Sequence, residues 1–203
     1  MDRKITLVYR IIFAVLIWTI ILIGLFLGGI VDFIGSLKYY TMQTNLMVAI
    51  WFTIAIIWYN NPKSLQKITG KIKGAVMLYI TVTFLVFAIV LSPLYHPTGF
   101  AFFSNLVLHY IAPIAFIIDW ILTETEVKYE WNFLLYWFIY PICYLCFATI
   151  FGTFTGDYLY PFLDINALGV PFFILCICIL VGLFVALSSV FVAINRKWIY
   201  KKI

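Results

Sequence analysis

The sequence predicts an all-α, polytopic membrane protein with six transmembrane helices and both termini cytoplasmic. Three observations predict it. Hydrophobic residues make up 66% of the 203-residue chain and charged residues only 10%, more apolar surface than a soluble domain of this length can bury. The apolar residues fall in six continuous runs of roughly twenty, the length that crosses a hydrocarbon core about 30 Å thick. Of the 13 basic residues, all but Lys38 lie in the termini or in the loops after the second and fourth runs, which places those segments at the cytoplasmic face.

The first run, Ile11–Ile30, follows Arg3, Lys4 and Arg10. It is too long for a signal-peptide core and no small-x-small cleavage site follows it, so it reads as a signal anchor. The second, Tyr39–Tyr59, is ended by Asn60-Asn61-Pro62 and leads into a basic loop with Lys63, Lys67, Lys71 and Lys73. The third, Gly74–Leu91, ends at Ser92-Pro93. The fourth, Phe100–Leu122, carries Asp119, read as a helix-end polar residue within reach of water. The acidic stretch Thr123–Glu130 reads as a solvated turn holding Lys128. After the fifth run, Trp131–Phe151, comes an outer loop, 152–169, rich in aromatic residues and without Lys or Arg. It reads either as a lid or as an interfacial turn anchored by Tyr158 and Tyr160. The sixth run, Val170–Ile194, is followed by Arg196, Lys197, Lys201 and Lys202. Continuous rather than alternating apolar runs exclude a β-barrel, and the short loops leave a single domain over 1–203.

The net charge of +5 is a topology signal. Its basic residues are scattered over separate loops, which excludes a nucleic-acid partner and leaves weak attraction to anionic lipid. Cys143, Cys146, Cys176 and Cys178 all lie in apolar runs with no His or carboxylate at ligand spacing. They read as small apolar packing, so no metal, cofactor or disulfide is expected.

The polar residues of the runs gather near the outer face. Thr41, Gln43, Thr44 and Asn45 open the second, and Ser104, Asn105 and His109 open the fourth. Thr41, Thr44 and Asn45 share one helix face, and Asn105 and His109 share another. Taken singly, Thr and Asn in spanning helices bond back to the preceding turn or join helices. An ionisable His in a spanning helix is different: it points to function. A hydroxyl beside an imidazole makes a nucleophile and its base, and Asn or backbone N–H groups can stabilise an oxyanion. Counting about 18 residues inward from Tyr59 to Thr41 and about 13 from Leu122 to His109, at 1.5 Å each, sets His109 about 8 Å deeper than Thr41. On that count Thr44 or Asn45 faces His109, and Thr44 is the alternative nucleophile. His96, in the loop Leu94-Tyr95-His96-Pro97, reads as interfacial.

Three stretches carry a family resemblance. Lys38-Tyr39-Tyr40-Thr41 opens a helix with aromatics and a threonine; Asn105-Leu106-Val107-Leu108-His109 precedes Pro113; and Tyr160-Pro161-Phe162-Leu163-Asp164 sits in the outer loop. In order and spacing the chain resembles the androgen-induced protein and ADTRP family, in a compact, bacterial-type six-helix form. The animal members are threonine hydrolases of fatty acid esters of hydroxy fatty acids. The resemblance therefore implies a plasma-membrane hydrolase of a lipid ester, with Thr41 as nucleophile and His109 as base. Asn45, Asn105, Tyr160 and Asp164 are the candidates for the oxyanion or for orienting His109. Gln43-Thr44-Asn45 departs from the animal pattern. The rival readings are a lipid-binding protein without chemistry and a transporter of a small or amphipathic solute. Against transport stand the absence of evident buried charged pairs, broken helices or an inverted repeat. Tyr39-Tyr40-Thr41 and Phe102-Phe103-Ser104 are alike, but such short stretches recur by chance.

Overall fold

The computed structural model describes residues 2–200 without the side chain of Lys67. The Lys67, Lys201 and Lys202 side chains of the basic count lie outside the described residues. Six helices are long and apolar enough to cross a membrane: α1 Arg3–Ser36, α2 Tyr40–Asn60, α3 Thr69–Leu94, α4 Gly99–Thr123, α5 Phe133–Thr155 and α6 Ile165–Ile199. Among the described residues there is no strand. A short helix, Pro62–Ile68, links α2 to α3; Asn61 caps it by accepting from the Ser64 N–H.

α3 is the centre. It packs against α2, α4, α5 and α6, and every residue from Val76 to Thr83 is buried, as expected of a helix that is apolar all round. Gly74 lets α5 come close: a Cβ there would collide with the indole of Trp137. α1 covers α2 and α4, and α6 is outermost, with Phe172, Ile174, Leu175 and Ile179 exposed. Cys143, Cys146 and Cys178 are also exposed. They line the outer surface of their helices, so their expected packing role is corrected.

Helices α1 and α6 are broken, at Gly29 (φ 78°) and Gly169 (φ 70°), in the left-handed region open to glycine. Two wide π turns matter more. They span Phe87–Leu91 in α3 and Val107–Ile111 in α4. A proline removes the hydrogen bond to the carbonyl four residues back and its ring clashes with that carbonyl. For Pro93 and Pro113 those carbonyls belong to Ile89 and His109, the middle residue of each π turn. The widened turns accommodate the clash.

At the end of the bundle holding Arg3 and Ile199, the sequence reading needs correction. Asp119 is fully buried rather than hydrated. Its carboxylate accepts from Arg10 Nε at 2.7 Å and pairs with Lys73 Nζ at 2.9 Å. Lys73 also lies 3.3 Å from Glu124 Oε2 and donates to Thr123 Oγ1 at 2.5 Å. Buried charged pairs are therefore present, and Arg10 and Lys73 belong to the core rather than to the flanking loops. The stretch after α4 is no solvated turn either: Glu124 and Tyr129 are buried. Trp120 Nε1 donates to the Tyr129 hydroxyl at 2.6 Å, which donates to Glu124 Oε1 at 3.0 Å. Asn195 of α6 accepts from the Tyr129 N–H at 2.7 Å and donates to the Val127 carbonyl at 3.1 Å.

Candidate active site

The opposite end of the bundle holds the Thr–His pair. Thr41 is the second residue of α2, and His109 lies in the π turn of α4. Thr41 Oγ1 and His109 Nε2 are 3.2 Å apart. The depth count anticipated a mismatch of about 8 Å because it took the two inner helix ends as level. They are staggered. Arg3 of α1 meets the Tyr59 carbonyl at the end of α2, whereas Arg10 meets Thr123 at the end of α4. Seven residues along α1 separate these contacts, about 10 Å at 1.5 Å per residue, which offsets the difference.

His109 is held from two sides. Nδ1 lies 3.2 Å from the Asn105 carbonyl, one turn back. A carbonyl only accepts, so this bond requires the proton on Nδ1 and leaves the Nε2 lone pair for the Thr41 hydroxyl. Phe87, from the other π turn, stacks on the imidazole with centroids 3.8 Å apart and planes at 23°. The two wide turns thus set the base and the ring that packs on it. Sequence reasoning missed Phe87; Pro93, four residues beyond the Ile89 carbonyl, was the available signal.

Of the other predicted residues, Asn105 contributes its backbone carbonyl, while its buried Oδ1 has no partner among the described residues. Asn45 is fully buried and donates to the carbonyls of Thr41 and Leu108, each at 2.9 Å. Both amide hydrogens are engaged, so Asn45 ties α2 to the turn carrying His109 and has none left for an oxyanion. Thr44 is also buried, and its hydroxyl pairs with Thr83 at 2.8 Å and with the Thr41 carbonyl. It faces α3. Asp164 caps α6, accepting from the N–H groups of Asn166 and Ala167 at 3.0 Å. It contacts neither Thr41 nor His109.

Tyr160 does reach the site. Its hydroxyl accepts from the Tyr40 N–H at 3.0 Å, and Tyr160 lines the same cavity as Thr41. Burial pushes this phenol above its ordinary pKa, so it keeps its proton. Tyr144 also receives the Tyr40 N–H, at 2.9 Å, and donates to the Lys38 carbonyl. These hydroxyls cap the first turn of α2, where N–H groups lack partners within the helix. Thr41 therefore stands at a positive helix end, favourable to negative charge developing beside it.

The chain matches no family model, no curated protein and no solved structure.

Thr41 opens onto a narrow cavity of about 90 Å³. Val86 and Phe87 of α3, Pro141 of α5 and Phe184 of α6 form its walls, and Tyr160 and Phe162 close one side. The loop between α5 and α6 thus lines the cavity through Tyr160 and Phe162. Apart from the threonine and tyrosine hydroxyls the lining is apolar. Such a lining suits apolar groups.

Proposed function

We propose that the chain is a multi-pass plasma-membrane protein, with both termini cytoplasmic, that hydrolyses a lipid ester by a threonine nucleophile and a histidine base. The observation carrying this reading is the 3.2 Å contact between Thr41 Oγ1 and His109 Nε2, with Thr41 itself lining an apolar cavity. His109 Nε2 takes the Thr41 proton as Oγ1 bonds to the ester carbonyl carbon. The oxygen that becomes negative is stabilised by the Tyr160 hydroxyl and the start of α2. The intermediate collapses, expelling the alcohol, which receives the proton from His109. Water, deprotonated by His109, then attacks the acyl-threonine; the carboxylic acid leaves and Thr41 regains its hydrogen. The resemblance to the androgen-induced protein and ADTRP family supports a fatty acid ester as substrate, as does the hydrocarbon lining.

The buried charges favour transport as a second reading, since ionisable groups within spanning helices mark ion and substrate paths. Their placement weighs against it. They lie within two turns of one bundle end, and Val48, Phe52, Ile80 and Phe116, all buried, separate them from Thr41 and His109.

Labelling of purified protein in detergent with a fluorophosphonate tests the proposal. Wild type is expected to react covalently, while Thr41→Ala and His109→Ala do not. A folded wild-type protein that stays unlabelled, or Thr41→Ala that labels fully, overturns it.

A further inference from the structure

A second cavity, of about 350 Å³, opens at the other end of the bundle. It lies between α1, α2, α3, the linking helix and the stretch after α4. Its walls carry three cations, Arg3, Arg10 and Lys73, and one carboxylate, Glu126. Glu126 accepts from Gln66 Nε2 at 3.2 Å. Lys73 is satisfied by Asp119, Thr123 and Glu124. Two other donors are not satisfied. Arg10 uses Nε and Nη2 on Asp119 and Thr123, and its Nη1 meets no acceptor among the described residues. Trp51 is 2% exposed, yet its indole N–H has no partner among them. Arg3 stands at the rim, exposed, over the Tyr59 ring.

A buried donor without an acceptor, such as the Trp51 N–H, is rare and costly, whereas the Arg10 Nη1 is not fully enclosed. Here Arg10 of α1 and Trp51 of α2 line one cavity, with a further guanidinium, that of Arg3, at its exposed edge. Asp119 and Glu124 pair with Arg10 and Lys73, and Glu126 accepts from Gln66 rather than from a cation, so Arg3 makes no ion pair among the described residues. The missing group is an anion rich in acceptors. A carboxylate presents two oxygens in one plane. A phosphate presents its oxygens at tetrahedral corners, which suits donors converging from separate helices, and guanidinium binds it bidentately.

We propose that this cavity binds a phosphate group, carried by a phospholipid headgroup at the membrane face or by a small phosphate-bearing solute. The site is independent of the Thr41–His109 reading, since it lies at the opposite end of the bundle.

The test is binding by the purified full chain in neutral detergent, measured by calorimetry with four probes: dioctanoyl phosphatidylglycerol, dioctanoylglycerol, inorganic phosphate and octanoate. Arg3→Ala and Trp51→Phe are the variants, the first exposed and the second keeping an aromatic ring. Phosphatidylglycerol is expected to bind at least tenfold tighter than dioctanoylglycerol and octanoate, and each variant to weaken it about tenfold, with the unliganded unfolding temperature unchanged. Equal sensitivity of inorganic phosphate to both variants identifies a solute site; phosphatidylglycerol binding alone identifies a headgroup site. Octanoate binding as tightly as the phosphates, no saturable phosphate binding, or affinity indifferent to both variants overturns the proposal.

Discussion

Replacing Asp119 by Asn keeps the shape of the side chain and removes the only carboxylate that Arg10 touches among the described residues. Two buried cations then face Glu124 alone, which lies 3.3 Å from Lys73. Breaking a buried ion pair costs about 3–5 kcal/mol because the remaining charge is left uncompensated. The Asn carbonyl still accepts one hydrogen bond, so the expected loss is at the lower end, ~3 kcal/mol. For a chain of about this size each kcal/mol moves the midpoint by about 2–4 °C, so Tm should fall by about 6–12 °C. Intrinsic tryptophan fluorescence of the detergent-solubilised protein during heating reads this directly. The partner variant Lys73→Met removes one of the stranded cations, so the double mutant should lose at least ~1 kcal/mol less than the sum of the singles. A fall below about 2 °C for Asp119→Asn, or strictly additive losses, would refute the idea that desolvated charge holds this end together.

Asn45→Val deletes the bonds to the Thr41 and Leu108 carbonyls; in a membrane bundle this costs about 1–2 kcal/mol. Fluorophosphonate labelling should slow at least tenfold, because α2 is no longer pinned to the turn carrying His109. Labelling at the wild-type rate would show that the tie does not position the pair. Burial lifts the Glu124 carboxyl above its ordinary value of 4.5, and Lys73 only partly offsets this. A carboxyl whose folded pKa is raised stabilises the fold below the unfolded pKa and loses that contribution as pH rises through the folded value. Titrating Tm upward from pH 4.5 should therefore show a decline in wild type that Glu124→Gln lacks; parallel profiles would place Glu124 on the ordinary carboxylate range.

The six helices were legible because length and hydropathy are local properties, readable one run at a time. Their ends were less so. α1 begins at Arg3 rather than near Ile11, because Arg10 finds its counter-charge inside the bundle instead of in water. That pairing joins residues more than a hundred positions apart, and no periodicity announces it. The same gap explains Glu124 and Tyr129, which look solvated in a polar stretch until Asn195 is brought over from α6. At the end of the bundle opposite Arg10 and Asp119, residue type and spacing were enough to single out Thr41, Asn105 and His109. Their roles were not: whether Asn105 acts through its amide or its carbonyl depends on local backbone shape. Asn45 looked like an oxyanion donor, but the carbonyls that occupy it come from the fold. The distance from Thr41 to His109 depended on the relative heights of two helix ends, which hydropathy does not fix to within a turn.

The π turn around His109 holds one residue more than an ordinary helical turn needs. Losing Val107 or Leu108 would restore regular winding and set His109 three rather than four positions beyond Asn105, a turn of about 100° for its ring. The Asn105 carbonyl and the Thr41-facing edge of the imidazole would then no longer share a direction, although composition, hydropathy and the number of membrane crossings would be unchanged. The pairing is thus one codon away from disappearing in a descendant that would still look like the same membrane protein, and one codon is also enough for it to have arisen.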